Sequence, residues 1–126
     1  MAGKSDSSTT IDHLKQMTLE FVRERDWEQF HTPKNLSMAI AIEAAELMEK
    51  FRFIESKDSY EALKEQRAEV EDEVADIIWA TVRFAHMASI DISSALEKKL
   101  ASTAKRYPVE KVRGKVEYGP AKGKKE

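Results

Sequence analysis

Glu43 and Glu46 stand three residues apart, and so do Glu73 and Asp76. Each pair lies in a run with helical periodicity, and residues three apart on an α-helix share a face. Each helix therefore aims two carboxylates at one point. Both pairs border an apolar stripe: Leu36, Ile40, Glu43, Leu47 and Phe51 on one segment, with Ala39, Ile42 and Glu46 beside them, and Val70, Glu73, Ile77, Ala80 and Phe84 on the other. A lone charge on such a stripe is unfavourable, so two helices that each turn carboxylates inward need a cation between them. Four hard oxygen ligands suit Mg²⁺ or Mn²⁺. The spacing by itself says little. The chain is 35% charged, and Glu46/Glu49 and Glu69/Asp72 share the spacing, as residues of a solvated helix face often do. Position against the core sets the chosen pairs apart.

Those pairs need helices to carry them, and the chain supplies candidates. With 126 residues it suits one domain with a real core. The first helix is expected from Thr10 to Trp27, with Ile11, Leu14, Met17/Thr18, Phe21 and Val22 on one face. The second starts at Thr32-Pro33, an N-cap followed by proline at the first helical position, and runs to about Phe53. The third starts near Asp58, with Glu61 completing a capping box, and reaches about Ala88, with room for a break near Gln66. The fourth begins after Asp91 and stops at Tyr107-Pro108. No segment of period two competes. The expected organisation is a flexible start over 1–9, a helical domain over 10–110 and a basic flexible tail over 111–126. The fold class is all-α, an antiparallel four-helix bundle. Trp27, Phe30, Phe51, Phe53, Trp79 and Phe84 are too many large rings for so small a monomer to bury, so a homo-oligomer is expected.

Composition narrows the function. A net charge of −2, from 21 basic and 23 acidic residues, gives no overall pull toward nucleic acid or anionic membrane. The absence of cysteine rules out disulfides, zinc–thiolate sites and thiol nucleophiles. No apolar run approaches the ~18 residues of a membrane span, and no signal-peptide core follows Met1. A soluble, cytoplasmic protein with no membrane or stable nucleic-acid partner is expected.

Longer stretches carry a resemblance. Arg25-Asp26-Trp27-Glu28-Gln29-Phe30-His31, then Pro33-Lys34-Asn35-Leu36, then Glu43-xx-Glu46-Leu47 and Phe51 resemble the all-α nucleotide pyrophosphohydrolases, in the MazG-like branch that includes the dCTP pyrophosphatases. That family pairs an ExxE with an ExxD after a spacer, here the 26 residues between Glu46 and Glu73. Lys99 and Lys105-Arg106-Tyr107-Pro108 are similar to its C-terminal motif. The resemblance covers about residues 11–110. It implies a bundle assembled as a homodimer or homotetramer, and Mg²⁺-dependent hydrolysis of a nucleoside triphosphate to monophosphate and pyrophosphate. It implies Glu43, Glu46, Glu73 and Asp76 as metal ligands, with Glu46 or Glu43 also activating water. Substrate binding falls to Trp27, His31, Asn35, Phe53, Lys99, Thr103 and Arg106. Thr103 stands where the family often has Asn, and Phe53 where the dCTP-type enzymes often have Trp. Deoxynucleotides such as dCTP or a modified dCTP are the expected substrates, with broad selectivity.

The physics agrees with that chemistry. Four carboxylates would repel a triphosphate, and a bound metal inverts the local field and can activate water. Lys99, Lys105 or Arg106 would neutralise charge on the departing pyrophosphate. Among other residues, His13 reads as surface, His86 as a cation near a helix end, and Trp79 as packing or interface. Two other functions compete. A di-iron bundle pairs Glu with Glu-x-x-His, and no histidine lies three residues after Glu43, Glu46 or Glu73. A non-enzymatic helical interaction module leaves the inward acidic pairs unexplained.

Overall fold

The computed structural model describes residues 3–115, and these residues contain helices and no strand. Met1, Ala2 and 116–126, most of the predicted tail, lie outside them. The chain divides into two compact units, Met1–Ile90 and Asp91–Glu126. The division falls inside the span read above as a single domain.

In the first unit, α1 (Ile11–Arg23) opens on Thr10, whose hydroxyl accepts from the His13 N–H at 3.1 Å. It stops four residues short of Trp27. Asp26 takes a left-handed conformation (φ 54°), and its N–H donates to the Arg23 carbonyl while the Trp27 N–H donates to the Val22 carbonyl, both at 3.0 Å. This is the paired bonding of a Schellman stop. Asp tolerates that conformation better than most residues. Gln29 adds a bond from Nε2 to the Asp26 side chain at 3.0 Å.

The next helix, α2 (Pro33–Glu49), starts as expected, with the Thr32 hydroxyl accepting from the Asn35 N–H at 3.1 Å. It ends before Phe53 because the chain tightens. The Lys50 and Phe51 amides donate three residues back, to Leu47 and Met48. The predicted third helix divides at Gln66 (φ −110°, ψ 27°) into α3 (Ser59–Glu65) and α4 (Arg67–Met87). Gln66 Nε2 donates to the Lys50 carbonyl at 3.3 Å, tying this break to the end of α2. The expected capping box is not formed: Asp58 closes a short 3₁₀ turn, and its side chain caps nothing. A second left-handed residue, Ser89 (φ 54°), ends α4 with the same bond pair, to His86 and Ala85.

The principal packing is α4 on α2, with α1 against α4. Leu19 and Val22 of α1, Leu36 of α2, and Val70, Ala80, Val82 and Ala85 of α4 are buried. Fully burying a Leu or Val contributes about 1.5–3 kcal/mol, so the larger of these hold the three helices together. Of the two expected stripes, Leu36, Val70 and Ala80 are buried, Ile40, Leu47, Phe51, Ile77 and Phe84 half-buried, and Ile42 exposed. On α1 the prediction needs correction. Leu19 joins Val22 inside, while Met17 and Phe21 stay exposed; they wall a cleft.

In the second unit, α5 (Ile92–Arg106) is capped by Asp91, whose Oδ1 accepts from the Ser94 N–H at 2.8 Å. It ends before Tyr107-Pro108, as expected. A short α6 (Val109–Val112) carries helix past residue 110, and Gly114 follows at φ 69°. At the other end, the segment before α1 holds a turn, with the Ser8 N–H on the Ser5 carbonyl at 3.1 Å.

Candidate active site

Glu43 comes from the middle of α2, and Glu73 and Asp76 from successive turns of α4. One carboxylate oxygen from each lies within 4.8 Å of the others. Glu43 Oε2 and Glu73 Oε2 are buried and accept no hydrogen bond. Burial raises the Glu43 pKa above the ordinary range, helped by the Glu46 carboxylate and then by Asp76 and Glu73. Glu73 is raised likewise by burial and by Glu46, with Lys50 opposing. Lys50 Nζ stands 4.0 Å from Glu73 Oε1. Hard oxygen donors, two of them orphaned and all within a few ångströms, fit a divalent cation. These three residues can bind a metal ion. Glu46, the fourth predicted ligand, is exposed and lies outside the converging triad, yet close enough to act on both Glu43 and Glu73.

Beside the triad runs an open cleft of about 480 Å³, lined by Met17, Thr18, Phe21, Trp27, Asp76 and Trp79. Phe21 meets Trp27 and Trp79 edge-on, with centroids 6.1 and 5.9 Å apart. A smaller cavity of about 80 Å³ lies between α2 and α4, where His31, Glu43, Asp76, Trp79 and Arg83 contribute to its lining. Asp76 and Trp79 border both spaces, so the triad and the aromatic wall are neighbours. His31 is half-buried, its Nδ1 makes no hydrogen bond, and burial followed by the charge of Arg83 holds its pKa below the ordinary value.

Trp27 therefore lines the cleft and His31 the smaller cavity. Asn35 lines neither among the described residues. Its Nδ2 donates to the Phe30 carbonyl at 2.9 Å, which fastens the segment that carries Trp27 and His31. Phe53 is 82% exposed, beyond the end of α2, with the Arg52 guanidinium 4.2 Å over its ring. In the second unit, Lys99, Thr103 and Arg106 fall at the i, i+4, i+7 spacing of one face of α5.

Sequence reasoning missed several residues. Trp79, read as packing or interface, packs against Phe21 and His31 and also walls the cleft. Met17 and Phe21, read only as part of one face of the first helix, wall it too. Lys50 and Arg83 were not singled out. A signal existed for Arg83: it is a lone charge on the apolar stripe, seven residues after Asp76, and so on the same face.

A helical unit built on α2 and α4, with Glu43 of the ExxE and both carboxylates of the ExxD gathered between them, defines a class. The chain belongs to the MazG-like family, whose model matches residues 38–119. It is 34% identical over 110 residues to dCTP pyrophosphatase 1 of Bos taurus, across 86% of this chain and 65% of that protein. The rat enzyme of the same name is 34% identical over 107 residues, across 83% of this chain and 63% of its own length. The chain thus spans a little under two thirds of these relatives. A crystal structure of a pyrophosphatase from Archaeoglobus fulgidus superposes with a TM-score of 0.76 at 31% identity, covering 86% of this chain and 98% of that one. Among the described residues no helix is long and apolar enough to cross a membrane.

Proposed function

We propose that the chain is a metal-dependent nucleoside triphosphate pyrophosphohydrolase that releases monophosphate and pyrophosphate, acting in the cytoplasm on deoxynucleotides such as dCTP or a modified dCTP. One observation carries this reading: three carboxylates converge, two with buried orphan oxygens, beside an aromatic cleft that shares Asp76 with them. The names of the relatives point the same way.

Glu43, Glu73 and Asp76 would hold Mg²⁺, with Mn²⁺ as a substitute. Bound there, the ion supplies charge neutralisation at the phosphates and lowers the pKa of water. Glu46 keeps an exposed carboxylate outside the converging oxygens, which suits it to orient the attacking water and take its proton. Its place as a fourth ligand is retained for the loaded site. Trp27, with Phe21 and Trp79, stacks the base. His31, held neutral, offers a ring nitrogen to it. Asn35 fixes the Trp27–His31 segment. Lys99, Thr103 and Arg106 are assigned to the phosphates and sugar, and Phe53 to further stacking.

We also propose a homodimer or homotetramer. Met38, Ile42 and Met48 of α2, with Val74 and Ile78 of α4, are each 45–61% exposed, and a run of apolar side chains on paired helices is the usual mark of an interface.

The test is a panel of canonical and modified triphosphates with Mg²⁺, with the primary products resolved. Pyrophosphate and monophosphate are expected, with cytosine deoxynucleotides among the best substrates. Activity that persists in excess chelator, or diphosphate and inorganic phosphate as primary products, would reject the reading.

A further inference from the structure

Arg83 is a buried charge that the chemistry above leaves unused. It is 1% exposed, and its Nε and one terminal nitrogen are enclosed without a hydrogen-bond partner. Enclosed cationic donors without acceptors weaken a fold, so a chain that keeps them has a use for them in another state. They border the 80 Å³ cavity, together with His31, Glu43, Asp76 and Trp79. A water occupies about 30 Å³ of liquid, so the space takes two waters or the edge of a ring, but not a nucleotide. Its rim at Asp76 and Trp79 is also the rim of the aromatic cleft. A ring stacked in the cleft therefore turns one edge toward the cavity.

Two observations separate a base edge from a phosphate as the partner. Arg83 lies two turns beyond Asp76 on α4 and faces the 80 Å³ cavity, which has no room for a triphosphate chain. Apart from burial, which lowers its pKa, the charges that act on it most are those of Glu28 and Arg23, neither of which lines the cavity. A guanidinium so placed meets neutral acceptors, and it has donors only.

We propose that Arg83 is a specificity-determining residue that donates to the adjacent N3 and O2 acceptors on the edge of a cytosine ring, in the cavity it shares with His31. The proposal rests on the nucleotide reading above. Uracil and thymine carry a hydrogen on N3, which would set donor against donor, and a site built to hydrogen-bond rejects an unmatched analogue strongly. The arginine thus favours cytosine over uracil in a cleft whose stacking wall does not distinguish them.

The test uses dCMP and dUMP titrated into metal-free protein, read by fluorescence. Both of the chain's tryptophans, Trp27 and Trp79, line the cleft, so emission reports its occupancy, and monophosphates need neither metal nor turnover. Wild type should prefer dCMP by about tenfold or more. Arg83→Met should bring the two affinities within about twofold, with Arg83→Lys between. Arg83→Met should also melt no lower than wild type, because an unpaired buried charge is replaced by an apolar chain of similar length; an arginine with only a structural role would show a fall. If Arg83→Met proves unfolded, Arg83→Lys keeps the charge and carries the comparison. An unchanged preference in the variant, an equal loss for both nucleotides, or no preference in wild type would overturn the proposal. Wild type that prefers dCMP yet cleaves no triphosphate would uphold Arg83 as a base reader and reject the hydrolase reading.

Discussion

Lys50 Nζ lies 4.0 Å from Glu73 Oε1, at the rim of the carboxylate triad, with both side chains largely sheltered. The lysine partly offsets the repulsion that the triad suffers without metal. Lys50→Met should lower the melting temperature of metal-free protein by a few degrees, since such a pair contributes about 0–1 kcal/mol and 1 kcal/mol moves a domain of this size by about 4–8 °C. The Mg²⁺-induced rise in melting temperature should grow, because the cation then faces more uncompensated charge. Thermal melts with chelator and with Mg²⁺ check both changes, and a smaller rise than in wild type would contradict the account.

Neutralising the triad separates binding from chemistry. Glu43→Gln, Glu73→Gln and Asp76→Asn should leave metal-free stability equal or higher, abolish the Mg²⁺-induced rise, and lower turnover by roughly 10²-fold or more. Glu46→Gln should lose turnover while retaining most of the rise, since three ligands remain. Near-wild-type turnover in two of the three triad variants would show that the cluster is misassigned.

The raised pKa values of Glu43 and Glu73 set a pH dependence for the metal-free protein. Burial and neighbouring carboxylates make the folded state hold these protons more tightly than the unfolded chain does. Their contribution is therefore fully present below the ordinary Glu value, about 4.3, and is lost as pH rises through the raised folded values. Urea midpoints in chelator, followed upward from pH 4, should decline from this source in wild type and decline less in the Glu43→Gln/Glu73→Gln double variant. Identical slopes would remove the triad as the cause.

Much of the site was legible because helix period and carboxylate spacing are the same signal. Glu43, Glu73 and Asp76 meet where an i,i+3 reading of two helices puts them, and Thr32-Pro33 starts α2 through chemistry local to those residues. What was missed needed information from elsewhere in the fold. The side chains of Met17, Phe21 and Trp79 have one helical period whether they fill a core or wall a cleft, and only the neighbouring element decides which. Asp26 and Ser89 end helices by adopting φ 54°, which neither residue type announces as glycine would. The resemblance puts Asn35 among the substrate-binding residues, and what the sequence does not show is that its Nδ2 donates to the Phe30 carbonyl.

That bond shapes a further expectation. Trp27→Ala should raise KM for every triphosphate by a similar factor, since every base offers a π-face, and should change kcat less. Asn35→Ala should reproduce this in weaker form by loosening the segment, leaving relative preference among bases intact. Steady-state kinetics on cytosine, uracil and adenine deoxynucleotides would decide it; a defect confined to one base would move Asn35 back into direct contact with the ring.

The hydrogen bonds of the segment from Val22 to Asn35 run largely within the segment. Trp27 bonds to Val22, Gln29 to Asp26, Arg23 to Glu28 at 3.0 Å, and Asn35 to Phe30. It behaves as an interchangeable cassette set into a fixed frame. Substitutions at its exposed positions can retune which ring is admitted while the α2–α4 framework that carries the triad keeps its own packing. Trp27 and His31 can then vary as one cassette, while Trp79 and Arg83 on α4 stay with the frame that carries the triad.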